Sequence, residues 1–167
     1  NVLDAADILL VNTCSFIEDA RSEAEDEIRS ALAWKQEDTG RYVVVAGCLP
    51  QRNLREAREA FPNVDLFLGL DDVPRAAARL HDLVRGAAQT AAASFETSRY
   101  LYTHDEPRLL LTPGHFAYVK IAEGCNHGCT FCSIPRIRGH RRSRSVASVA
   151  AECRMLLDEG ALELNFI

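Results

Sequence analysis

The chain has 167 residues, 47% of them hydrophobic and 26% charged, which is enough for one globular domain and part of another and excludes a disordered chain. Its 9 glycines and 6 prolines exclude a collagen-like composition, and the net charge of −5 argues against a uniformly basic nucleic-acid binder. No apolar run approaches the ~18 residues of a membrane span and no signal peptide is evident, so we expect a cytoplasmic protein with no membrane partner.

The first half of the chain alternates short apolar runs with helical patterns. Three runs are typical of strands buried on both faces: residues 8–11, 42–45 and 66–68. Apolar residues at helical spacing predict a helix after each run: residues 17–32, 54–61 and 73–85. Ser15, three residues before Glu18, predicts a capping box at the start of the first helix. This alternation predicts a parallel α/β sheet domain, which we assign to residues 1–85.

The second half begins after a stretch that has no apolar periodicity. We assign residues 86–113 to a linker because they start with a run of Ala, Ser, Thr and Gln. Residues 114–167 then have the order strand, cysteine-rich loop, helix and strand, which is the opening of a second α/β domain. The predicted strands cover residues 116–121 and 162–167, and the predicted helix covers 145–158. Since the chain starts at Asn1 and stops inside an apolar run, we expect a fragment of a longer protein.

Three of the six cysteines form a C-x-x-x-C-x-x-C motif in the loop after a predicted strand: Cys125, Cys129 and Cys132. Cysteines in a chain without a secretory signal indicate metal binding or catalysis rather than disulfides. A zinc ion would need a fourth ligand, which His127 or His140 could supply. A four-iron cluster held by three cysteines leaves one iron open to a small molecule. The spacing favours this cluster, because zinc modules usually contain paired C-x-x-C units.

This motif after a first strand resembles the radical S-adenosylmethionine (SAM) superfamily, and Phe131 resembles the aromatic residue common before the last cysteine. The resemblance implies a 4Fe-4S cluster on Cys125, Cys129 and Cys132 that binds SAM, with Phe131 at the cofactor. One electron from a donor protein then cleaves SAM into methionine and a deoxyadenosyl radical. The cofactors supply the chemistry, and the protein binds, orients and shields them. The implied fold is a TIM-like barrel that begins with the βα unit in residues 114–167.

Two further cysteines, Cys14 and Cys48, follow the first two predicted strands. The carboxyl ends of parallel strands meet at one edge of a sheet, where α/β proteins bind ligands. On spacing alone, two ordinary buried cysteines are an equally good interpretation. The contexts Asn-Thr-Cys and Ala-Gly-Cys, however, resemble the N-terminal domain of the methylthiotransferases, a family of radical SAM enzymes. The resemblance implies an auxiliary 4Fe-4S cluster on Cys14, Cys48 and a third cysteine that would precede Asn1.

Two substrate classes occur in the methylthiotransferase family. One branch modifies an adenosine of tRNA, and the other adds a methylthio group to the β-carbon of an aspartate in small-subunit ribosomal protein S-twelve. The residues around Cys14 and Cys132 and those at 110–121 and 134–139 resemble the ribosomal branch. The resemblance therefore implies a transferase whose partner is S-twelve or the small ribosomal subunit, with this chain inactive alone. A zinc-binding interaction module is the alternative from another class.

Five arginines follow the cysteine motif, with no carboxylate between residues 133 and 151: Arg136, Arg138, Arg141, Arg142 and Arg144. Such a run is often only a solvated surface, but it could also bind RNA phosphates or offset the negative charge of a cluster and SAM. Arg138 and Arg144 match family positions, so the resemblance implies a role at the SAM site, and we assign Arg138 to cofactor binding. Cys153 lies on the apolar stripe of the last predicted helix and is interpreted as a core residue.

Overall fold

The computed structural model describes residues 5–87 and 95–167. Its first half contains a sheet of three parallel strands in the order β1 (Ile8–Thr13), β2 (Tyr42–Gly47) and β3 (Leu66–Leu68). Each strand contains the apolar run that predicted it, so the predicted parallel α/β sheet is confirmed. The register of β1 and β2 places Thr13 opposite Gly47, which aligns the carboxyl ends of the two strands.

Four α-helices accompany these strands in the described residues. Their bounds are α1 (Glu18–Gln36), α2 (Cys48–Arg52), α3 (Leu54–Ala60) and α4 (Ala76–Val84). A 3-10 helix, Leu70–Arg75, occupies the start of the helix predicted at residues 73–85, so α4 begins later than expected. Helix α2 was not predicted, because five residues are too few to show a helical period. No helix within the described ranges is both long enough and apolar enough to cross a membrane.

The predicted capping box at the start of α1 is wrong. Ile17 is the N-cap residue, and no side chain of the described residues caps this helix end. Ser15 is buried, and its carbonyl and hydroxyl oxygens accept hydrogen bonds from Arg52 at 3.0 and 3.5 Å. A contact with a distant residue has therefore replaced the local contact that the sequence pattern indicated.

Strand β2 is the centre of the core, because Val43, Val44 and Val45 are fully buried. Successive side chains of a strand point to opposite faces of the sheet. Val43 and Val45 accordingly pack in a cluster with Ile28 of α1, whereas Val44 packs with Leu83 of α4. Since burial of one valine side chain stabilises a fold by roughly 1.5–3 kcal/mol, β2 holds both helical layers to the sheet.

The predicted linker lies partly outside the described residues, which resume at Phe95. From there to residue 115 the chain forms neither helix nor strand. Asp71 fastens the start of this segment to the first half of the chain. Its carboxylate accepts hydrogen bonds from the Ser98 hydroxyl at 2.7 Å and from the backbone N–H groups of Arg99 and Tyr100 at 2.9 and 2.7 Å. The segment is therefore tied to the first half by charge-assisted hydrogen bonds.

The second half contains a parallel strand pair, β4 (Phe116–Val119) and β7 (Glu163–Phe166), joined through α6 (Val146–Asp158). Leu156 of α6 is buried against β4, and Cys153 packs on the same apolar cluster, as predicted for a core residue. Between β4 and α6 lie three short elements that were not predicted. They are β5 (Ala122–Glu123), α5 (Ile134–Arg138) and β6 (Arg142–Ser143). The predicted strand–helix–strand order is present, and its continuation into a barrel stays a prediction.

Replacement of Asp71 by Asn should lower stability in a pH-dependent manner. Burial acts to raise the pKa of Asp71, but the hydrogen bonds from Ser98, Arg99 and Tyr100 outweigh it and hold this pKa below its ordinary value of 3.8. The stabilisation is therefore complete above about pH 4 and is lost as the pH falls through the lowered pKa. We expect Asp71→Asn to reduce the free energy of unfolding in urea by ~1 kcal/mol at pH 7, and by less in acid.

Asp82→Asn is the matched control, because Asp82 is exposed and its carboxylate has no hydrogen bond or ion pair within the described residues. Equal losses of stability in the two variants at pH 7 would contradict the role of Asp71.

Candidate metal centre

Cys14 and Cys48 lie at the carboxyl edge of the first sheet. Each follows the last residue of its strand, and these last residues, Thr13 and Gly47, are paired across the sheet. Cys14 is exposed, whereas Cys48 is buried and is the first residue of α2. The prediction that both cysteines leave the sheet at the same edge is confirmed by this register.

The hydroxyl of Thr13 ties the two cysteine-bearing turns together. It donates a hydrogen bond to the Ala46 carbonyl at 2.6 Å and accepts one from the Leu49 N–H at 3.2 Å. These two partners flank Cys48 on either side, while Thr13 itself directly precedes Cys14. A single buried hydroxyl therefore fixes the backbone on both sides of Cys48 relative to the backbone before Cys14.

Gly47 permits this close approach. Its φ of 99° lies in the left-handed region, and a Cβ atom built there would be 2.5 Å from the Thr13 carbonyl oxygen. Any other residue would meet both backbone strain and a steric clash. The glycine in the Ala-Gly-Cys context thus has a structural reason: it lets β1 and β2 stay in contact up to the cysteines.

Cys125, Cys129 and Cys132 lie in one loop, which is closed at its base by the antiparallel pair of β5 and β6. Gly124 has a φ of 77°, and its α-carbon faces the carbonyl groups of Gly139 and His140 so closely that a Cβ atom would clash with both. The Cys125 N–H donates to the Gly139 carbonyl at 3.1 Å. The two ends of the loop therefore meet directly beside the first cysteine of the motif.

Within the loop, a tight turn brings the last two cysteines close in the backbone, since the Cys132 N–H donates to the Cys129 carbonyl at 3.1 Å. The Cys125 sulfur accepts a hydrogen bond from the His127 N–H at 3.5 Å. Cys129 is exposed and the other two cysteines are half-buried. Across the described residues, no three side chains of Cys, His, Asp or Glu converge on a point where a metal ion would bind. This holds for His127 and His140 as well as for the cysteines.

The donor set of the loop nevertheless fits an iron–sulfur cluster better than a closed zinc site. Three thiols come from eight consecutive residues, and a cavity of about 440 Å³ opens beside Cys129 and Cys132. Phe131 is 90% exposed next to this cavity. Soft sulfur donors with open space in front of them suit a cluster that keeps one iron free for another molecule.

Arg138 links Cys48 to the base of the loop that carries Cys125, Cys129 and Cys132. One of its nitrogens, Nη1, donates to both carboxylate oxygens of Glu123 at 2.7 and 2.9 Å, and Nη2 lies 3.5 Å from the Cys48 sulfur. Burial acts to lower the pKa of Arg138, but Glu123 and Cys48 outweigh it and raise this pKa. Burial likewise opposes the ionisation of Glu123, but Lys120 and Arg138 hold the pKa of this carboxyl below its ordinary value. The ion pair is therefore charged on both sides near neutral pH.

Another arginine of the run, Arg144, has a different environment from Arg138. Its guanidinium is buried and pairs with the fully buried carboxylate of Glu152, and it also donates to the Ser148 hydroxyl at 2.9 Å. Arg108 pairs with the same carboxylate from the linker side. Sequence reasoning missed Glu152 and Arg108, because a glutamate within a helix and an arginine within a linker carry no signal of their own. Removal of either partner from such a buried pair is strongly destabilising.

The chain is similar in sequence to a described family and to curated proteins. Residues 1–69 match the family described as uncharacterized protein family UPF0004. Over nearly its whole length the chain is similar to methylthiotransferases, so the resemblance predicted from the motifs is confirmed.

In particular, these relatives are named ribosomal protein uS12 methylthiotransferase RimO. The relative from Syntrophotalea carbinolica is 43% identical over 97% of this chain and 35% of its own length. Those from Syntrophus aciditrophicus and Chlorobium chlorochromatii are 44% and 43% identical over 98% and 99% of this chain, and over 36% and 34% of their own lengths. The chain thus spans about a third of the length of the curated relatives that it matches.

Replacement of Gly47 by Ala should disrupt the edge of the sheet that carries Cys14 and Cys48. The added Cβ atom would clash with the Thr13 carbonyl in a backbone conformation that L residues rarely adopt, so we expect a loss of about 2 kcal/mol or more in the free energy of unfolding. Urea denaturation measures this loss. Gly114→Ala is the control, because a Cβ atom there would have open space around it. Comparable stability of the two variants would show that the contact between Gly47 and Thr13 is dispensable.

Proposed function

We propose that this chain is the first part of a methylthiotransferase that adds a methylthio group to the β-carbon of an aspartate in ribosomal protein uS12. The observation that carries the proposal is the contact of Arg138 with both Glu123 and Cys48, since it links Cys48 to the base of the loop with the other cysteine group that such an enzyme needs. The names of the relatives support the ribosomal substrate over tRNA. Because the chain spans about a third of these relatives, the activity is proposed for the longer protein, and we expect no turnover by these 167 residues alone.

In this proposal, Cys125, Cys129 and Cys132 hold a 4Fe-4S cluster that also binds SAM. When bound, these cofactors supply a reducing electron and a carbon-centred radical that removes hydrogen from an unactivated carbon. The chain's own contribution is to hold three thiolates on one loop and to close that loop at its base. Phe131, exposed at the cavity beside Cys132, would cover the cofactor and exclude water from it.

Cys14 and Cys48 hold the auxiliary 4Fe-4S cluster, together with a third cysteine from outside these residues. The support for this assignment is their common position at the carboxyl edge of the sheet and the contact of the Cys48 sulfur with a cation. A cluster held by cysteine ligands is negatively charged, so a neighbouring cation suits a ligand sulfur. Residues 1–85 would thus form the auxiliary-cluster domain, 86–113 the linker, and 114–167 the start of the SAM-binding domain.

The remaining features of the proposal concern the surroundings of the site. Arg138 belongs to the cofactor-binding region, where its positive charge offsets the negative charge of thiolate-bound clusters. The reaction needs an electron donor and the small ribosomal subunit or free uS12 as partners. These requirements imply an enzyme of the cytoplasm.

Iron binding tests the cofactor assignment directly. The chain is to be reconstituted without oxygen in the presence of iron and sulfide, and the iron per chain and the visible spectrum measured with and without SAM. We expect at least about four irons per chain and a broad brown absorbance that changes when SAM is added. About eight irons would show that Cys14 and Cys48 hold the auxiliary cluster even without the third cysteine.

Two cysteine variants show whether the response to SAM depends on the Cys125–Cys132 loop. Cys125→Ser should abolish the response to SAM, whereas Cys153→Ser should leave it intact, because Cys153 packs in the apolar core of the second half. A colourless chain that binds one zinc would contradict the proposal and favour an interaction module. Iron binding that survives in Cys125→Ser with its response to SAM would place the cofactor elsewhere.

A further inference from the structure

Arg138 is the last residue of α5, and its guanidinium lies between two groups that are distant in the chain. One is the carboxylate of Glu123, directly before the glycine at which the cysteine loop begins. The other is the sulfur of Cys48, 90 positions away in sequence, at the start of α2. Helices α2 and α5 pack against each other, so this contact belongs to a wider junction between the two halves.

We infer that Arg138 is a positioning residue that fixes the Cys48 sulfur relative to the base of the Cys125–Cys132 loop and tunes the cluster that Cys48 helps to hold. The inference deepens the proposed function and rests on it, because it takes Cys48 as a cluster ligand. The inferred role of Arg138 differs from direct SAM binding, since its guanidinium contacts the carboxylate of Glu123 and the sulfur of Cys48.

The geometry requires an arginine rather than a lysine. The planar guanidinium has two terminal nitrogens that point in different directions, and here one bonds to Glu123 while the other reaches Cys48. An ammonium group is a single point of charge and cannot hold both partners in this way. The position of Arg138 is fixed in turn, because its side chain is only 32% exposed and its carbonyl accepts a hydrogen bond from Arg142 at 3.0 Å.

The charges around Arg138 leave it able to act on the sulfur. Glu123 is paired with Lys120 as well as with Arg138, so two cations share one carboxylate. The group therefore has a net positive charge beside Cys48. A hydrogen bond and a positive charge at a ligand sulfur stabilise the reduced, more negative state of an iron–sulfur cluster, which raises its reduction potential.

Hydrogen–deuterium exchange of the iron-free chain tests the positioning role. Arg138→Gln should increase exchange roughly three- to tenfold in residues 48–52 and 122–125 together, because both segments lose a shared partner. Arg136→Gln is the matched control on the same helix, since the Arg136 side chain forms no hydrogen bond or ion pair within the described residues. The exchange of these segments in Arg138→Lys should be intermediate between that in the wild type and that in Arg138→Gln. Because the lysine variant keeps the positive charge, it can replace the glutamine variant if the latter folds poorly.

A double-variant cycle with Cys48→Ala separates the sulfur contact from the Glu123 contact. If the sulfur is a real partner, Arg138→Gln will increase exchange in residues 48–52 less in the Cys48→Ala background than in the wild type. Equal increases in the two backgrounds would overturn the inference, because Arg138 would then act through Glu123 alone.

The reduction potential provides a second readout that a purely structural role would not change. In the iron-loaded longer protein, which supplies the third cysteine ligand, Arg138→Gln should shift the midpoint potential of the auxiliary cluster to a more negative value, with the potential of Arg136→Gln unchanged. An unchanged potential in Arg138→Gln would refute the tuning role. If no iron binds at Cys48 even in the wild type of this longer protein, the proposed function fails at that site, while the exchange experiment still decides whether Arg138 and Cys48 are coupled.

Discussion

The parallel pairing of β1 with β2 is the constraint on which the candidate metal centre depends. Because Thr13 lies opposite Gly47, Cys14 and Cys48 leave the sheet at adjacent positions, although they are 34 positions apart in the sequence. The buried valines of β2 hold this register, since a shift of one residue would turn Val44 and its neighbours to the wrong layers. The Thr13 hydroxyl then extends the contact beyond the last strand residues. The register of the two strands thus brings two thiols to one edge of the sheet.

The second group of cysteines is placed in a different way. A two-residue strand pair and the close approach of Gly124 to Gly139 fix the ends of the loop, and the cysteines between them lie at or near the surface. The buried pair of Arg144 and Glu152 anchors the chain just after β6 to helix α6. The base of the loop is therefore held in place, while Cys129 and Cys132 line an open cavity. Such a division suits a site whose cofactor organises the ligands when it binds.

The long elements and the cysteine pattern could be predicted from the sequence, whereas the connections between them could not. Continuous apolar runs and helical spacing identified the strands and α1, because burial on two faces or on one stripe leaves a periodic signal. Helix α2 and strands β5 and β6 span only two to five residues and depend on tertiary contacts, so they leave no such signal. Ser15 shows the opposite failure: its local pattern was clear, but Arg52 provided a stronger partner from elsewhere in the fold.

The contact between Arg138 and Cys48 also depends on tertiary structure and could not be predicted from the sequence. The sequence placed Arg138 near the cofactor site but gave no indication that its partner would be a sulfur 90 positions away. Contacts between side chains that are distant in the sequence depend on how the two halves pack, and a single sequence contains no period or motif for them. The same is true of Glu152, which lies on a helix face that resembles an ordinary solvated one until Arg144 and Arg108 are placed around it.

Two groups of cysteines must bind iron if the proposed function is right. The most direct test of this is to map which thiols bound iron protects from alkylation. The longer protein, which supplies the third cysteine, would be alkylated without oxygen in its reconstituted and iron-free forms, and the modified cysteines identified by mass spectrometry. We expect iron to slow the alkylation of Cys14, Cys48, Cys125, Cys129 and Cys132 and to leave that of Cys153 unchanged. If iron protected only the loop cysteines and left Cys14 and Cys48 as reactive as in the iron-free protein, the carboxyl edge of the first sheet would not be a metal site.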